Sequence, residues 1–433
     1  MKARLSLLVA LSLLGAVPSL HAIPQEFISG GGGGFGPVIP NNPIFNGGDF
    51  TGGFLDEDNW EKGELPGDWL DEPSLDGEQM RRLKSVPYLF GQIPLGVFSR
   101  TKNGKLVGAA IVYLDAGAYF GYRPSASPGD DAGLLPDAEA EAREEKAKDD
   151  LRQKQRDFDR LYKKLEKDLE KEISRACGRG KARQLGKTGF LRADVTEFRQ
   201  GDLVVRFQPN EGHSIWVTIQ PESEAKDDFV DPKIAKMDRR EAAAFYAERA
   251  KEMAGGDVEI EGVPTFRQGL RPYCGISTLA MVMRYLGLEL GTDGLAAGAR
   301  LKNTGSAKGS KIFDLYRAAP QEVGAEMQHT QKFDFDRTMR SVAAGIPVIV
   351  WRKFDPRRDA LHQSGNLPEP TREDEATWPG KAAPNHASVI TGFNAERKEV
   401  IFMESWGEHT RGRRMRAEEM EGTAYVTFFF KPN

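Results

Sequence analysis

Two cysteines and six histidines are the residues of this 433-residue chain best suited to covalent chemistry, and one cysteine stands out by its neighbours. Pro272 and Gly275 mark a turn around Cys274, after which Ile276, Leu279, Met283 and Leu286 recur at helical spacing. Cys274 is therefore expected at a helix N-terminus, off the apolar stripe. Unpaired N–H groups and the positive end of the helix dipole favour a thiolate there, the nucleophilic form of the side chain. A buried structural cysteine would more often sit mid-helix on the stripe. A thiolate also needs a base. His21 lies in an N-terminal apolar segment, His213 at a hairpin turn, His362 and His409 in polar loops, and His329 in a polar strand-like stretch. His386 follows Pro384 and Asn385 and opens a strand over 387–392, which places an imidazole at a strand mouth facing a helix N-terminus.

Those two positions need elements to hold them. Gly345 to Trp351 reads as a core strand after a helix, and Gly392-Phe393 closes the histidine strand. Residues 257–433 make one α+β domain on this reading. Residues 226–256 form a linker helix opened by an Asp238/Glu241 capping box and stopped at Gly255-Gly256. The stretch 355–384 is a long polar loop beside His386, placed to act as a lid or specificity loop. Upstream, 80–225 reads as a small α+β accessory domain. It has a hairpin around Asn103-Gly104, a Pro/Gly/Asp loop over 125–136, and a charged helix over 137–177 ended by Gly178. Strands follow at Leu203, Val205 and Phe207, and at Ile215, Val217 and Ile219. Phe158, Leu161, Leu165, Leu169 and Ile173 form the helix's single apolar stripe, which suits packing on its own sheet better than a strict coiled-coil seam.

Residues 23–79 carry the glycine runs 30–34, 47–48 and 52–53 and read as a flexible linker. Residues 1–22 have a basic start at Lys2 and Arg4 and a 13-residue apolar run over 5–17. That run is too short to span ~30 Å of hydrocarbon, so it is expected to be a cleaved signal peptide and the protein secreted or periplasmic, not membrane-spanning. A formal net charge of -4 implies no general attraction to nucleic acid. Two cysteines build neither a disulfide scaffold nor a thiolate zinc site, and no nucleotide-binding loop occurs, so no metal, cofactor or nucleotide is expected. A single Cys177–Cys274 bridge stays open, since exported compartments allow it.

Residues 260–433 resemble the papain-like cysteine peptidases, most closely the bacterial branch that includes the double-glycine leader (bacteriocin-processing) peptidases. The matching residues are Gln268, Cys274-Gly275, Asn385-His386-Ala387 and Glu404-Ser405-Trp406-Gly407. The resemblance implies a nucleophile-bearing helix packed on an antiparallel sheet and amide hydrolysis of a peptide or protein substrate through an acyl-enzyme. It implies that Gln268, six residues before the cysteine, donates to an oxyanion hole with the Cys274 N–H. His386 would be the general base and Trp406 would shield the hydrogen bond to a third group. Glu404 stands where the family usually has Asn or Asp; it either orients His386 or lies outside a working dyad. A transglutaminase or amidase would use the same site, and a catalytically silent peptide-binding protein is the alternative of a different class. The resemblance also raises self-processing at Gly255-Gly256, and the order of domains raises an accessory domain that inhibits by covering the cleft.

Overall fold

The computed structural model describes residues 25–26, 38–39, 44–72, 78–116, 119, 137–266, 268, 273–301 and 311–432. The signal-like segment 1–22, the glycine run 30–34, the 125–136 loop and the Pro272 turn lie outside these residues.

The N-terminal unit is built on an antiparallel sheet of eight strands, β1 (Trp69–Glu72), β2 (Glu78–Leu83), β3 (Gly96–Lys102), β4 (Lys105–Asp115), β5 (Lys181–Leu185), β6 (Ala193–Gln200), β7 (Leu203–Asn210) and β8 (Ser214–Pro221), beside a short parallel pair of Phe45–Asp49 with Val86–Tyr88. Two meanders join through β4 and β8, giving the order β1-β2-β3-β4-β8-β7-β6-β5. Asn103 and Gly104 turn the β3–β4 hairpin with φ of 50° and 76°, the left-handed backbone that a two-residue type I′ turn requires. Alternation of side chains sends Val205, Phe207, Ile215, Val217 and Ile219 to one face, where helix α1 (Asp137–Cys177) lies, and Trp216 to the other. The helix buries Phe158, Tyr162, Leu169, Ile173 and Cys177 against that face. Leu161, expected on the stripe, is exposed, because the sheet meets the neighbouring i,i+4 row that runs through Tyr162. The unit also begins earlier than expected. Residues 44–72, read as part of a flexible linker ending at 79, contribute β1 and the short helices Thr51–Phe54 and Glu57–Lys62. Phe54, Trp60 and Leu65 insert into the α1 core, so local glycine content was a poor guide there.

The C-terminal unit starts with α2 (Arg239–Ala247), whose capping box forms as the sequence suggests. The expected linker helix over 226–256 is not one element. It ends at Ala247 and is followed by β9 (Ala250–Glu252) and β10 (Asp257–Ile260), with Gly255 and Gly256 at positive φ turning that hairpin. Ala242 and Tyr246 pack into the C-terminal core, so α2 belongs to the domain rather than tethering it. Next come α3 (Cys274–Tyr285), α4 (Thr292–Gly298), α5 (Ile312–Glu322), β11 (Ala325–Thr330), α6 (Phe335–Ala343), β12 (Val348–Lys353), α7 (Pro356–Ser364), β13 (Asn385–Asn394), β14 (Glu399–Met403), β15 (Arg413–Arg416), α8 (Ala417–Thr423) and β16 (Ala424–Pro432). The antiparallel sheet runs β9-β10-β13-β12-β16-β11, with β14 and then β15 extending from β13. Every α3 side chain from Ile276 to Met283 is buried, as the helix packs across β13 and β12.

The 355–384 segment is not a free loop. Asp355 caps α7 and Pro356 takes its first turn, the position where a missing N–H costs nothing. Its inward residues are polar. Arg358 and His362 both hold the buried Glu419 of α8, and Arg358 also reaches Asp374. His362, expected in a loop, is thus a buried helical residue.

The two units share a core. Leu185, Leu191, Val195 and Phe229 pack among the C-terminal unit's apolar side chains. The buried Glu322 carboxylate, at the end of α5, accepts the backbone N–H groups of Lys187 and Thr188.

Candidate active site

Helix α3 begins at Cys274, so the thiol sits among the N–H groups that no preceding turn can satisfy. The carbonyls of the same turn are tied down. Thr278 Oγ1 donates to the Cys274 carbonyl at 2.8 Å, and the Tyr316 hydroxyl donates to that of Gly275. A Cβ on Gly275 would stand 3.2 Å from Ile312 Cδ1 and 3.7 Å from the Trp351 ring, so the chain passes closely beneath α5 and β12 here. Burial pushes the Cys274 thiol up. A hydrogen bond and charge from His386, with the backbone N–H groups of Ala387 and Gly275, more than offset this and hold it below its usual value.

His386 is the second residue of β13, paired with Arg352 across the β12–β13 ladder. Its ring stacks on Trp406 at 4.8 Å between centroids and meets Phe354 at 5.2 Å. The ring Nε2 lies 2.7 Å from Glu404 Oε2, while the ring also bonds the Cys274 thiol. Burial disfavours the imidazolium, but the Glu404 charge and the Cys274 and Glu404 hydrogen bonds outweigh it, and the pKa is pushed up to about 9.

Glu404 directly follows β14 and is fully buried. Its second oxygen, Oε1, accepts from Arg352 Nη2 at 2.9 Å and from Ser388 Oγ at 2.8 Å. Arg352 Nε in turn donates to Ser388 Oγ at 3.1 Å. Burial pushes the Glu404 carboxyl up, but His386, Arg352 and Ser388 together hold it below its usual range. The carboxylate is therefore shared between two cationic partners rather than given to the imidazole alone. The backbone around it is fastened by Thr410, whose hydroxyl donates to the Glu404 and Gly407 carbonyls at 2.9 and 2.6 Å.

Gln268 lies on the other side of this turn. Its backbone N–H donates to the Ser405 carbonyl at 2.8 Å, and its Oε1 accepts from Ser405 Oγ at 2.6 Å. Holding the amide by its oxygen leaves the NH2 as the donating end of the side chain. Cys274, His386, Glu404 and Gln268, the four residues named from the sequence, are thus brought into one region by α3, β13 and the turn after β14.

Several residues of this region were not foreseen. Arg352 and Ser388 occupy positions inside core strands, where a polar residue reads as a break in an apolar run. Tyr425, on β16, is raised to about 12 by burial and by the charge of Cys274, and its ring lies 6.3 Å from that of Trp351. Cys177 is free, buried in the other unit's core, and pushed up to about 11 by that burial, so both thiols are unpaired in this structure.

Residues 260–428 match the family model described as the Peptidase_C39 like family. The match covers the C-terminal unit and supports a peptidase-type function acting on peptide or protein substrates. Among solved structures, a protein from Bacillus anthracis described as a C39-like peptidase is 16% identical. That comparison spans 40% of this chain and 96% of that one, with a TM-score of 0.28. The peptidase domain of Streptococcus ComA, a bifunctional ABC transporter of a quorum-sensing pathway, is 16% identical over 37% of this chain and 93% of that one, with a TM-score of 0.24. Xylellain, a cysteine protease from Xylella fastidiosa, is 15% identical over 44% and 89%, with a TM-score of 0.26. No curated protein matches the chain. Among the described residues, no helix is long and apolar enough to cross a membrane.

Proposed function

We propose that the protein is an exported, papain-like cysteine peptidase, with Cys274 as nucleophile and His386 as its base. The observation that carries this reading is the His386 ring itself, bonded to the Cys274 thiol and, 2.7 Å away through Nε2, to Glu404. In the resting state the proton of the thiol resides on His386, giving a thiolate–imidazolium pair. The thiolate attacks the scissile carbonyl carbon, the C=O electron pair moves to oxygen, and the resulting oxyanion takes hydrogen bonds from the Cys274 N–H and the Gln268 amide. Collapse of that intermediate breaks the C–N bond, and His386 gives its proton to the leaving amine. Water, deprotonated by the now neutral His386, then attacks the thioester and releases the acid. Glu404 keeps the imidazole oriented throughout and balances its charge, while the Trp406 ring shields their hydrogen bond from water.

Export by residues 1–22 to the periplasm or the medium belongs to the same proposal. The test is digestion of a peptide library by wild type and Cys274→Ala side by side, with iodoacetamide labelling near neutral pH. Cleavage and labelling that both vanish in the variant are expected. Amine incorporation without cleavage would assign a transferase instead. A wild type whose folded form neither labels nor cleaves would sink the proposal.

A further inference from the structure

The catalytic reading gives the imidazole one carboxylate, yet that carboxylate has a second cationic partner. Arg352 is 1% exposed and Glu404 fully buried, so neither charge is hydrated and each depends on the other. Arg352 reaches the site from the middle of β12, and Ser388 from β13 two residues past His386. Paired residues and alternate residues share a sheet face, so Arg352, His386 and Ser388 all project to the side where Glu404 enters. Within that group the contacts divide cleanly. Oε2 of Glu404 goes to His386, and Oε1 goes to Arg352 and Ser388. The guanidinium is further held by its Nε bond to Ser388 and by the rings of Phe354 and Phe402, 5.6 and 5.3 Å from its centre.

We propose that Arg352, with Ser388, is the positioning residue of this site: it grips one oxygen of Glu404, turns the other onto His386, and balances part of the carboxylate's charge. A glutamate is one methylene longer than the aspartate or asparagine usual at this place, and its extra torsion must be fixed by something other than its own backbone. The Arg352–Ser388 pair supplies that constraint through two converging donors. Charge balance has a second consequence. An unopposed, buried carboxylate would hold the imidazolium so firmly that the proton could not pass to the leaving amine; a fixed cation on the far oxygen weakens that hold. The charged groups facing His386 are Cys274 from α3, Glu404 from the end of β14 and, beyond Glu404, Arg352 from β12. Arg413 of β15 lies behind the Trp406 ring.

The inference rests on the peptidase reading, and the experiment separates the two. Alkylation of Cys274 by iodoacetamide is followed against pH in the full-length protein, needing no substrate. The rate profile of a thiolate–imidazolium pair shows an upper step where His386 loses its proton. In Arg352→Gln, which keeps a donor but removes the charge, that step should move upward by about one pH unit. Arg352→Lys, which keeps the charge but not the fork, should leave the step in place while lowering kcat against the best library peptide about tenfold with little change in KM. Ser388→Ala should fall between wild type and the lysine variant in kcat. An unmoved or downward step in Arg352→Gln, or an unchanged kcat in Arg352→Lys, overturns the inference. Should Arg352→Gln fail to fold, the lysine variant's kcat and step position decide alone. A wild type without any upper step refutes the peptidase reading itself.

Discussion

Replacing Glu404 by glutamine tests how the buried charges are balanced, independently of any catalysis. The carboxylate and both its cationic partners are nearly or fully shut off from water: 0% exposure for Glu404, 1% for Arg352 and 7% for His386. Glu404→Gln leaves the Arg352 guanidinium buried without its counter-ion, a change that costs about 3–5 kcal/mol when one partner of a buried pair is removed. His386 can lose its proton and adapt; Arg352 cannot, so the larger share of the loss belongs to the arginine. Removing the second charge as well should restore most of the stability, because an uncharged side chain in a dry site has no ion to compensate. The assay is urea denaturation of wild type, Glu404→Gln, Arg352→Met and the double variant, giving a coupling energy for the pair. We expect each single variant to lose roughly 3 kcal/mol or more and the double variant to lose less than either, a coupling well beyond the ~0.5 kcal/mol scatter of independent sites. Additive losses would refute the argument.

Stability should depend on pH in a way that isolates His386. Its folded pKa, about 9 against an ordinary 6.5, contributes stability that is complete below 6.5 and lost as pH rises through 9, while the depressed Cys274 thiol contributes in the opposite sense, its share being present above its ordinary value and lost as pH falls. Cys274→Ala removes the thiol's own part of the His386 shift, so in urea titrations its stability should begin to fall at lower pH than that of wild type; identical pH profiles for the two proteins would refute the pairing. Cys177→Ala should leave the alkylation profile unchanged at one reactive thiol per chain, because Cys177 is buried and pushed up to about 11; a halved label count by mass spectrometry would contradict this. Glu322→Ala strips two backbone N–H groups of their acceptor and should cost about 2–4 kcal/mol, with turnover per folded molecule unaffected; a selective loss of kcat in refolded protein would show that the joint communicates with the site.

What the sequence made legible follows from how local each signal is. The start of α3 at Cys274 could be read because apolar spacing switches on there within a few residues, and the Asn103-Gly104 hairpin because its turn needs those residue types. Arg352 and Ser388 could not be read as part of the site: their partner Glu404 is 52 and 16 residues away, and a polar residue in a strand carries no mark of what it will face. The helix α7 escaped for the opposite reason. Its buried side is built from Arg358 and His362, so the apolar period that announces a helix is missing, and only Asp355-Pro356 signalled a start. Gly255-Gly256 shows the ambiguity of a short motif. Positive φ suits a helix cap and a hairpin turn alike, and only the pairing of β9 with β10 selects the turn.

The position of the accessory unit bears on whether it could inhibit by covering the cleft. Its contacts with the C-terminal unit include the ends of α3 and α5, where Val230 bridges to Leu288 just past α3 and Lys187 and Thr188 cap Glu322 at the last residue of α5, and α4, where Phe190 and Leu191 lie against Gly298. Helix α3 has 12 residues, so its two ends are about 18 Å apart, and Cys274 occupies the other one. At that same other end, Ile312 opens α5 and packs beside Gly275. Two helices thus run toward the thiol, each anchored at its far end by residues outside the strands of the N-terminal sheet: Lys187 and Thr188 between β5 and β6, and Val230 past β8. The described part of that unit is placed to brace the helices that carry the site, and because Leu185, Leu191, Val195 and Phe229 complete the shared core, removing it would expose that core before it uncovered any cleft.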